Sequence, residues 1–232
     1  MNILALDTAT EACSAALQVA GRTLARFEIA GRTHTEKLVP MVHGLLAEAG
    51  IGFAQLDGYV CGVGPGSFAG VRIGVSFVKG LALAHDRPVV DVSSLAMLAR
   101  PPLALGAQQV TCAIDARMNE VYVAAYRRSA DGSPEALLDE QVCAPADVPA
   151  VAGAAVAVGS GWGSYESALR AAVGADLSAI DAAALPTAAD ALALALPRFA
   201  VGTTISAAAL LPRYLRNKVA LTLNEQRAAR RG

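Results

Sequence analysis

The sequence predicts an α/β protein of two related halves, each a mixed β-sheet with helices. Three observations carry this. A first strand at residues 3–7 is followed by alternating runs at 14–19 and 23–29, with turns at 8–11 and Gly21-Arg22, which reads as an antiparallel meander. A second strand–turn–strand opening recurs at 110–115 and 120–127. Between them, a glycine-rich loop over residues 62–74 joins a short apolar run, 59–61, to a helix-like segment, 71–84.

The elements follow in order. After the meander, Thr33-His34-Thr35-Glu36 fits a capping box, and Leu38, Val42, Leu45, Leu46 and Ala49 fall on one helical face. Pro40 falls just past the first turn of that helix, and Gly50 is the expected stop. A strand at 88–92 and a short helix at 93–99 close the first half, and Pro101-Pro102 with the residues that follow makes a candidate boundary. In the second half, Asp131-Gly132-Ser133-Pro134 is a turn. A strand at 155–159 runs into Gly159-Ser160-Gly161-Trp162-Gly163 and a helix at 165–172, and an alanine-rich helix covers 187–201. The expected division is a first lobe at 1–103, a second at 104–205, and a segment at 206–232 that returns to the first lobe and ends in a basic tail.

Composition narrows the function classes. With 54% hydrophobic residues, the 232-residue chain has ample material for a core. No apolar run approaches the roughly 20 residues of a membrane span, and the N-terminus lacks the basic region of a signal peptide. The expectation is a cytoplasmic chain without membrane contact. A formal charge of −1 gives no global attraction for nucleic acid, although residues 213–232 hold six Lys/Arg against one Glu. Cys13, Cys61, Cys112 and Cys143 form no CxxC pair, so neither a zinc ribbon nor a redox pair is expected.

The loop is the chief candidate for chemistry. A helix opened by glycines exposes N–H groups and its positive dipole end to an anion. The lysine and serine/threonine of a P-loop are missing. Gly64-Pro65-Gly66-Ser67-Phe68-Ala69 satisfies G-x-G-x-x-A, but it follows a meander and a helix rather than opening the first βα turn. Asp7 with Thr8, and Asp115 at the corresponding strand end of the second half, are carboxylates that could face each other across a cleft, as ATP-dependent phosphotransfer requires; an Asx turn is the alternative for each. Ser67 has no histidine near it in sequence, and no G-x-S-x-G elbow exists. His34, His43 and His85 lack metal-ligand spacing. Gly66, Gly70 and Gly74 recur every four residues beside Val71, Val75 and Val78, a small-residue face that could pack within the fold or accept another helix.

Five motifs in order complete the reading: Asp7-Thr8-Ala9-Thr10, residues 34–40, the glycine loop, Asp115-Ala116-Arg117-Met118-Asn119-Glu120-Val121-Tyr122, and residues 212–220. Together they closely resemble the TsaB (YeaZ) family of partner subunits in tRNA threonylcarbamoyladenosine (t6A) modification. Ala69 stands where that family usually has threonine. The resemblance implies a two-lobed actin/Hsp70/sugar-kinase-like (ASKHA) fold. It implies a non-catalytic scaffold and activator that binds the catalytic paralogue TsaD, with the ATPase TsaE, to form t6A at position 37 of tRNAs reading ANN codons. A homodimer would form when TsaD is absent, and tRNA would be reached through the complex. The paralogue's metal histidines fall on Ser94 and Leu98 here, which cannot serve as ligands; no metal and no catalytic residue are expected. A degenerate nucleotide or phosphate site would comprise Asp7, Thr8, Gly64, Gly66, Ser67, Asp115, Gly159 and Gly161, with ATP or ADP a candidate ligand at the complex interface. The contact with TsaD would use Leu38, Val42, Leu45, Gly70, Val71, Gly74, Val75 and Val78, so that Gly74→Leu would block the partner yet leave the monomer folded. The rival reading is an ATP-dependent phosphotransferase or ATPase using Asp7, the loop and Asp115, with adenosine near Gly159–Gly163. No serine/histidine pairing supports the peptidase role that has been suggested for the family.

Overall fold

The computed structural model describes residues 1–174 and 176–216. The first sheet holds β1 (Ile3–Asp7), β2 (Ala12–Val19), β3 (Arg22–Ile29), β4 (Gly58–Gly62) and β5 (Val89–Val92) in the order β3-β2-β1-β4-β5. The second holds β6 (Gln109–Arg117), β7 (Glu120–Arg128), β8 (Pro134–Cys143), β9 (Ala154–Val158) and β10 (Asp176–Asp181) in the order β10-β9-β6-β7-β8. The two orders correspond strand for strand. In each sheet the first strand pairs antiparallel with its hairpin mate on one side and parallel with the fourth strand on the other. The duplicated architecture expected from the sequence is therefore present. Strands β8 and β10, which the sequence pattern did not mark, lie at the two edges of the second sheet. Edge strands keep polar residues on both faces, so their alternation is weak.

Five helices cover the sheets: α1 (His34–Ala49), α2 (Phe68–His85), α3 (Ser94–Ala104), α4 (Ser160–Val173) and α5 (Ala188–Ala200). The apolar stripes of α1 and α2 enter one core with Leu4, Leu6, Leu17 and Tyr59 of the first sheet. On the other face of that sheet, Ala188, Ala191, Leu192 and Ala195 of α5 pack against Ile3, Ala5, Val60 and Val90. Helix α3 leaves the first sheet but buries Leu95, Leu98, Ala99 and Leu103 against the second, and Trp162 and Leu169 of α4 fill the opposite face. The exchange of α3 and α5 locks the lobes together. Helix α5 falls before the expected 205/206 division by sequence, yet its packing is with the first sheet. By length and composition alone α2 could cross a membrane; here its apolar side serves the core.

Four expectations need correction. Thr33 precedes α1 but does not cap it; its hydroxyl donates back to the carbonyl of Ala30, 2.9 Å away, so there is no capping box. The Gly50 stop is present, in the left-handed conformation at φ 67°. The short helix expected to end at 99 runs on through the prolines: Pro101 and Pro102 sit in the last turn of α3, where Leu105 and Ala107 N–H groups return to their carbonyls, and the residues that follow, 105–108, lead into β6. The third correction concerns Leu38, Val42, Leu45, Gly70, Val71, Gly74, Val75 and Val78, the expected partner contact. All eight are buried within the first lobe. The stripe with the right helical spacing is the stripe that the sheet itself takes. Fourth, Gly74 has no room for a leucine, because a Cβ there would lie 2.7 Å from Thr8 Oγ1. Residues 217–232, which hold most of the basic tail and the end of the fifth motif, lie outside the described residues.

Candidate functional site

A cleft of about 750 Å³ opens between the lobes. Its first wall carries Thr10, Glu11, Ser67 and Phe68; its second carries Asp115, Arg117, Tyr122 and Ser160. The chain segment 213–216 runs along it and completes the lining.

The glycine loop lends Gly66, Ser67, Phe68 and Val71 to this cleft, while its inner side is filled by the β1–β2 turn. A Cβ on Gly66 would lie 2.1 Å from Ala9 O, and one on Gly70 would lie 2.1 Å from Thr8 O. The four-residue glycine spacing thus clears space for the Thr8–Ala9 backbone. Hydrogen bonds close the contact. Ser67 N–H donates to Ala9 O at 2.7 Å, and Thr8 Oγ1–H donates to Gly70 O at 2.7 Å. Ser67 is the N-cap of α2, its Oγ accepting from Gly70 N–H at 3.0 Å. Gly64, at φ 92°, packs against Val71 and the carbonyl of Arg213. These groups are spent within the fold, where a phosphate loop would hold them open.

Asp7 lies at the end of β1 and is fully buried. Its Oδ1 has no hydrogen-bond partner, and its Oδ2 accepts one long bond, 3.4 Å, from Ala9 N–H. Burial raises its pKa from the ordinary 3.8 to about 7, with the Ala9 N–H opposing weakly. Gly62 lies directly over the carboxylate: a Cβ there would stand 1.9 Å from Oδ1. Asp7 is absent from the cleft lining, so it does not face Asp115 across it.

Asp115 does line the cleft, but its carboxylate is engaged by one residue. Oδ1 accepts from Arg117 N–H at 2.8 Å and Oδ2 from Arg117 Nη1 at 3.0 Å. This Asx-type turn starts the β6–β7 connection, in which Arg117, Met118 and Asn119 all adopt left-handed φ, 62°, 57° and 59°. Segment 213–216 braces that strained turn. Arg216 Nη2 donates to Ala116 O at 3.0 Å, while Arg216 Nε pairs with Glu120 at 3.0 Å. The same segment ties down the first lobe and β8: Arg213 N–H donates to Val63 O at 2.9 Å, and Arg213 Nη1 pairs with Glu140 at 2.8 Å. Tyr214 accepts from Arg72 Nε at 2.6 Å, and Arg72 also covers the Phe68 ring at 3.6 Å. Sequence reasoning reached this segment only as a motif; its role as a strap between lobes depends on contacts about a hundred residues apart.

The remaining candidates are structural. A Cβ on Gly159 would lie 2.5 Å from Ala113 O, and one on Gly161 would lie 2.9 Å from Ala113 Cβ. Both glycines let α4 start against β6, and neither appears in the cleft lining. Ser94 is buried in the first turn of α3, and Leu98 belongs to the core of the second sheet. His34 is held by Thr10 O at 2.8 Å. Among the described residues, no cluster of three His, Cys, Asp or Glu could hold a metal.

Comparison with known proteins places this geometry in a family. The family model described as TsaD, tRNA N6-adenosine threonylcarbamoyltransferase, matches residues 27–223. The chain is 41% identical over 230 residues to the tRNA threonylcarbamoyladenosine biosynthesis protein TsaB of Escherichia coli K12, covering 95% of this chain and 96% of that one. It is 40% identical over 230 residues to TsaB of Haemophilus influenzae, covering 94% and 95%. The solved structure of YeaZ from Pseudomonas aeruginosa superposes with a TM-score of 0.83 at 40% identity, covering 92% of this chain and all of that one. The ASKHA-type two-lobed fold and the full-length likeness agree: this chain belongs to the TsaB (YeaZ) family.

Proposed function

We propose that this chain is a non-catalytic subunit of t6A synthesis that activates a TsaD-type threonylcarbamoyltransferase by binding it, with TsaE and tRNA joining through the complex. The sealed Asp7 is the observation that carries this reading. In a working phosphotransfer cleft that carboxylate would face metal-bound phosphate; here it is fully buried beneath Gly62. Asp115 is occupied by Arg117. The rival ATPase reading has lost both of its carboxylates. Family membership supplies the pathway, since the full-length relatives are TsaB proteins of t6A biosynthesis. Leaving this chain out of a reaction containing TsaD, TsaE, ATP and tRNA is expected to remove nearly all t6A, measured by nucleoside analysis. Full t6A without it would refute the role.

The partner face is the outer side of α1 and α2. On α1, Pro40, Gly44 and Ala47 are exposed at i, i+4 and i+7; on α2, Ser76, Gly80 and Ala84 are exposed beside the half-buried Ile73, Phe77 and Leu81. Gly44 and Gly80 sit in helix interiors, and beyond the backbone of their own helix no atom lies within 4 Å of where a Cβ would stand. Each costs its helix about 1 kcal/mol relative to alanine, with no packing need inside the monomer. A smooth surface for a partner helix accounts for that cost. Gly80→Arg should therefore leave the monomer's melting temperature unchanged or higher while abolishing co-purification with TsaD. Retained binding would remove α2 from the interface.

A further inference from the structure

The guanidinium that ties segment 213–216 to the second lobe is unevenly supplied with acceptors. Arg216 Nε donates to Glu120 at 3.0 Å, and Nη2 donates to Ala116 O at 3.0 Å. Nη1 meets no oxygen among the described residues. Its partner there is a thioether, with Met118 Sδ 3.8 Å away. A thioether sulfur is a weak acceptor. The Arg216 side chain is only 18% accessible, so water does little to make up the difference.

Met118 itself is open to solvent. It is 73% accessible, while Met41 and Met97 are 6% and 0%. It stands at the middle of the left-handed run 117–119, in which no residue is glycine. Such a run persists only where its surroundings fix it. Here Asp115 holds Arg117 from one side, and Arg216 holds Ala116 O and Glu120 from the other. The backbone that carries the sulfur is thereby kept opposite Nη1.

We propose that Met118 is a reversible peroxide-modification site, and that its sulfoxide clamps segment 213–216 to the 117–119 turn through Arg216 Nη1. A sulfur lone pair attacks one oxygen of hydrogen peroxide. The S–O bond forms and the O–O bond breaks. The departing hydroxide takes the proton of the transferred oxygen and leaves as water. Sulfur loses two electrons and the peroxide gains them. The new oxygen is a strong acceptor facing an N–H that lacked one, and the hydrogen bond is charge-assisted. Methionine sulfoxide reductases return the thioether. The site lies on the second lobe, away from the α1–α2 face, so it stands independently of the proposed partner contact.

Peptide mass spectrometry of the full chain during hydrogen peroxide treatment gives the first test. Met118 should be oxidised at least about tenfold faster than Met41 and Met97. Limited trypsin cleavage between Arg117 and Met118 gives the second. Oxidation should slow it about tenfold, and sulfoxide reductase should restore it. In Met118→Leu the cleavage should not respond to peroxide. Met118→Gln, which carries a permanent amide oxygen, should be cut slowly without peroxide. Arg216→Ala should still be oxidised at Met118 but show no slowing. Oxidation of Met118 no faster than that of the buried methionines would overturn the proposal. So would cleavage that is unchanged or faster after oxidation, or the same slowing in Arg216→Ala.

Discussion

Gly70→Ala is expected to destabilise the protein by about 3 kcal/mol or more, as the sum of an overpacking cost and a lost helix cap. The new methyl would stand 2.1 Å from Thr8 O and 2.6 Å from Ser67 Oγ. The first contact is backbone at the end of a central core strand; the second is the N-cap hydroxyl of α2. Neither can yield without breaking the Thr8–Gly70 and Ser67–Gly70 hydrogen bonds. A loss of that size is a large part of the total stability of a small protein. Gly80→Ala is the matched comparison. Its methyl meets open space, so it should stabilise by about 1 kcal/mol through helix propensity. Urea denaturation of the two variants measures both. A Gly70→Ala midpoint equal to that of the unmodified chain would show that the glycine stripe is not set by the Thr8–Ala9 turn.

Asp7→Asn is expected to do the opposite and stabilise the fold in a pH-dependent way. The folded pKa of Asp7 is raised from 3.8 to about 7, so the folded chain holds its proton more tightly than the unfolded chain. The favourable contribution of the protonated form is complete below pH 4. It is lost as pH rises from about 4 to 7, and the penalty is constant above that. Keeping the buried carboxylate charged costs the fold on the order of 4 kcal/mol at pH 8. Asparagine carries no charge to desolvate. The stability difference between variant and unmodified chain should therefore grow between pH 4 and pH 7 and then level off. Denaturant titrations at pH 4.5, 6 and 8 would show this. A difference independent of pH would mean that Asp7 is solvated or paired.

Much of the fold was legible because its signals are local. Strand β1 appears in the structure with its predicted bounds, and Gly50 stops α1 in the left-handed conformation that favours glycine. The duplication was visible from the two meanders, although the polar edge strands β8 and β10 were not. The site was less legible. Periodicity found the buried stripe of α1 and α2 and could not say whether sheet or partner covered it. The exposed face lacks contrast: it is small and apolar too, with Gly44, Ala47, Gly80 and Ala84. Asp7 and Asp115 had the right strand ends for a facing pair. Only the structure shows that Gly62 admits Asp7 to the core and that Arg117 holds Asp115 in a turn. The Arg216 brace on the 117–119 turn joins residues that no short-range pattern links.

The central claim is that this chain acts by binding and contributes no carboxylate to chemistry. The most direct measurement is t6A formation by TsaD, TsaE, ATP and tRNA with three forms of this chain: unmodified, Asp7→Asn with Asp115→Asn, and Gly80→Arg. The expected result is t6A at the unmodified level with the doubly amidated chain, and almost none with Gly80→Arg. A doubly amidated chain that still binds TsaD but supports no t6A would contradict the claim and return the aspartates to catalysis.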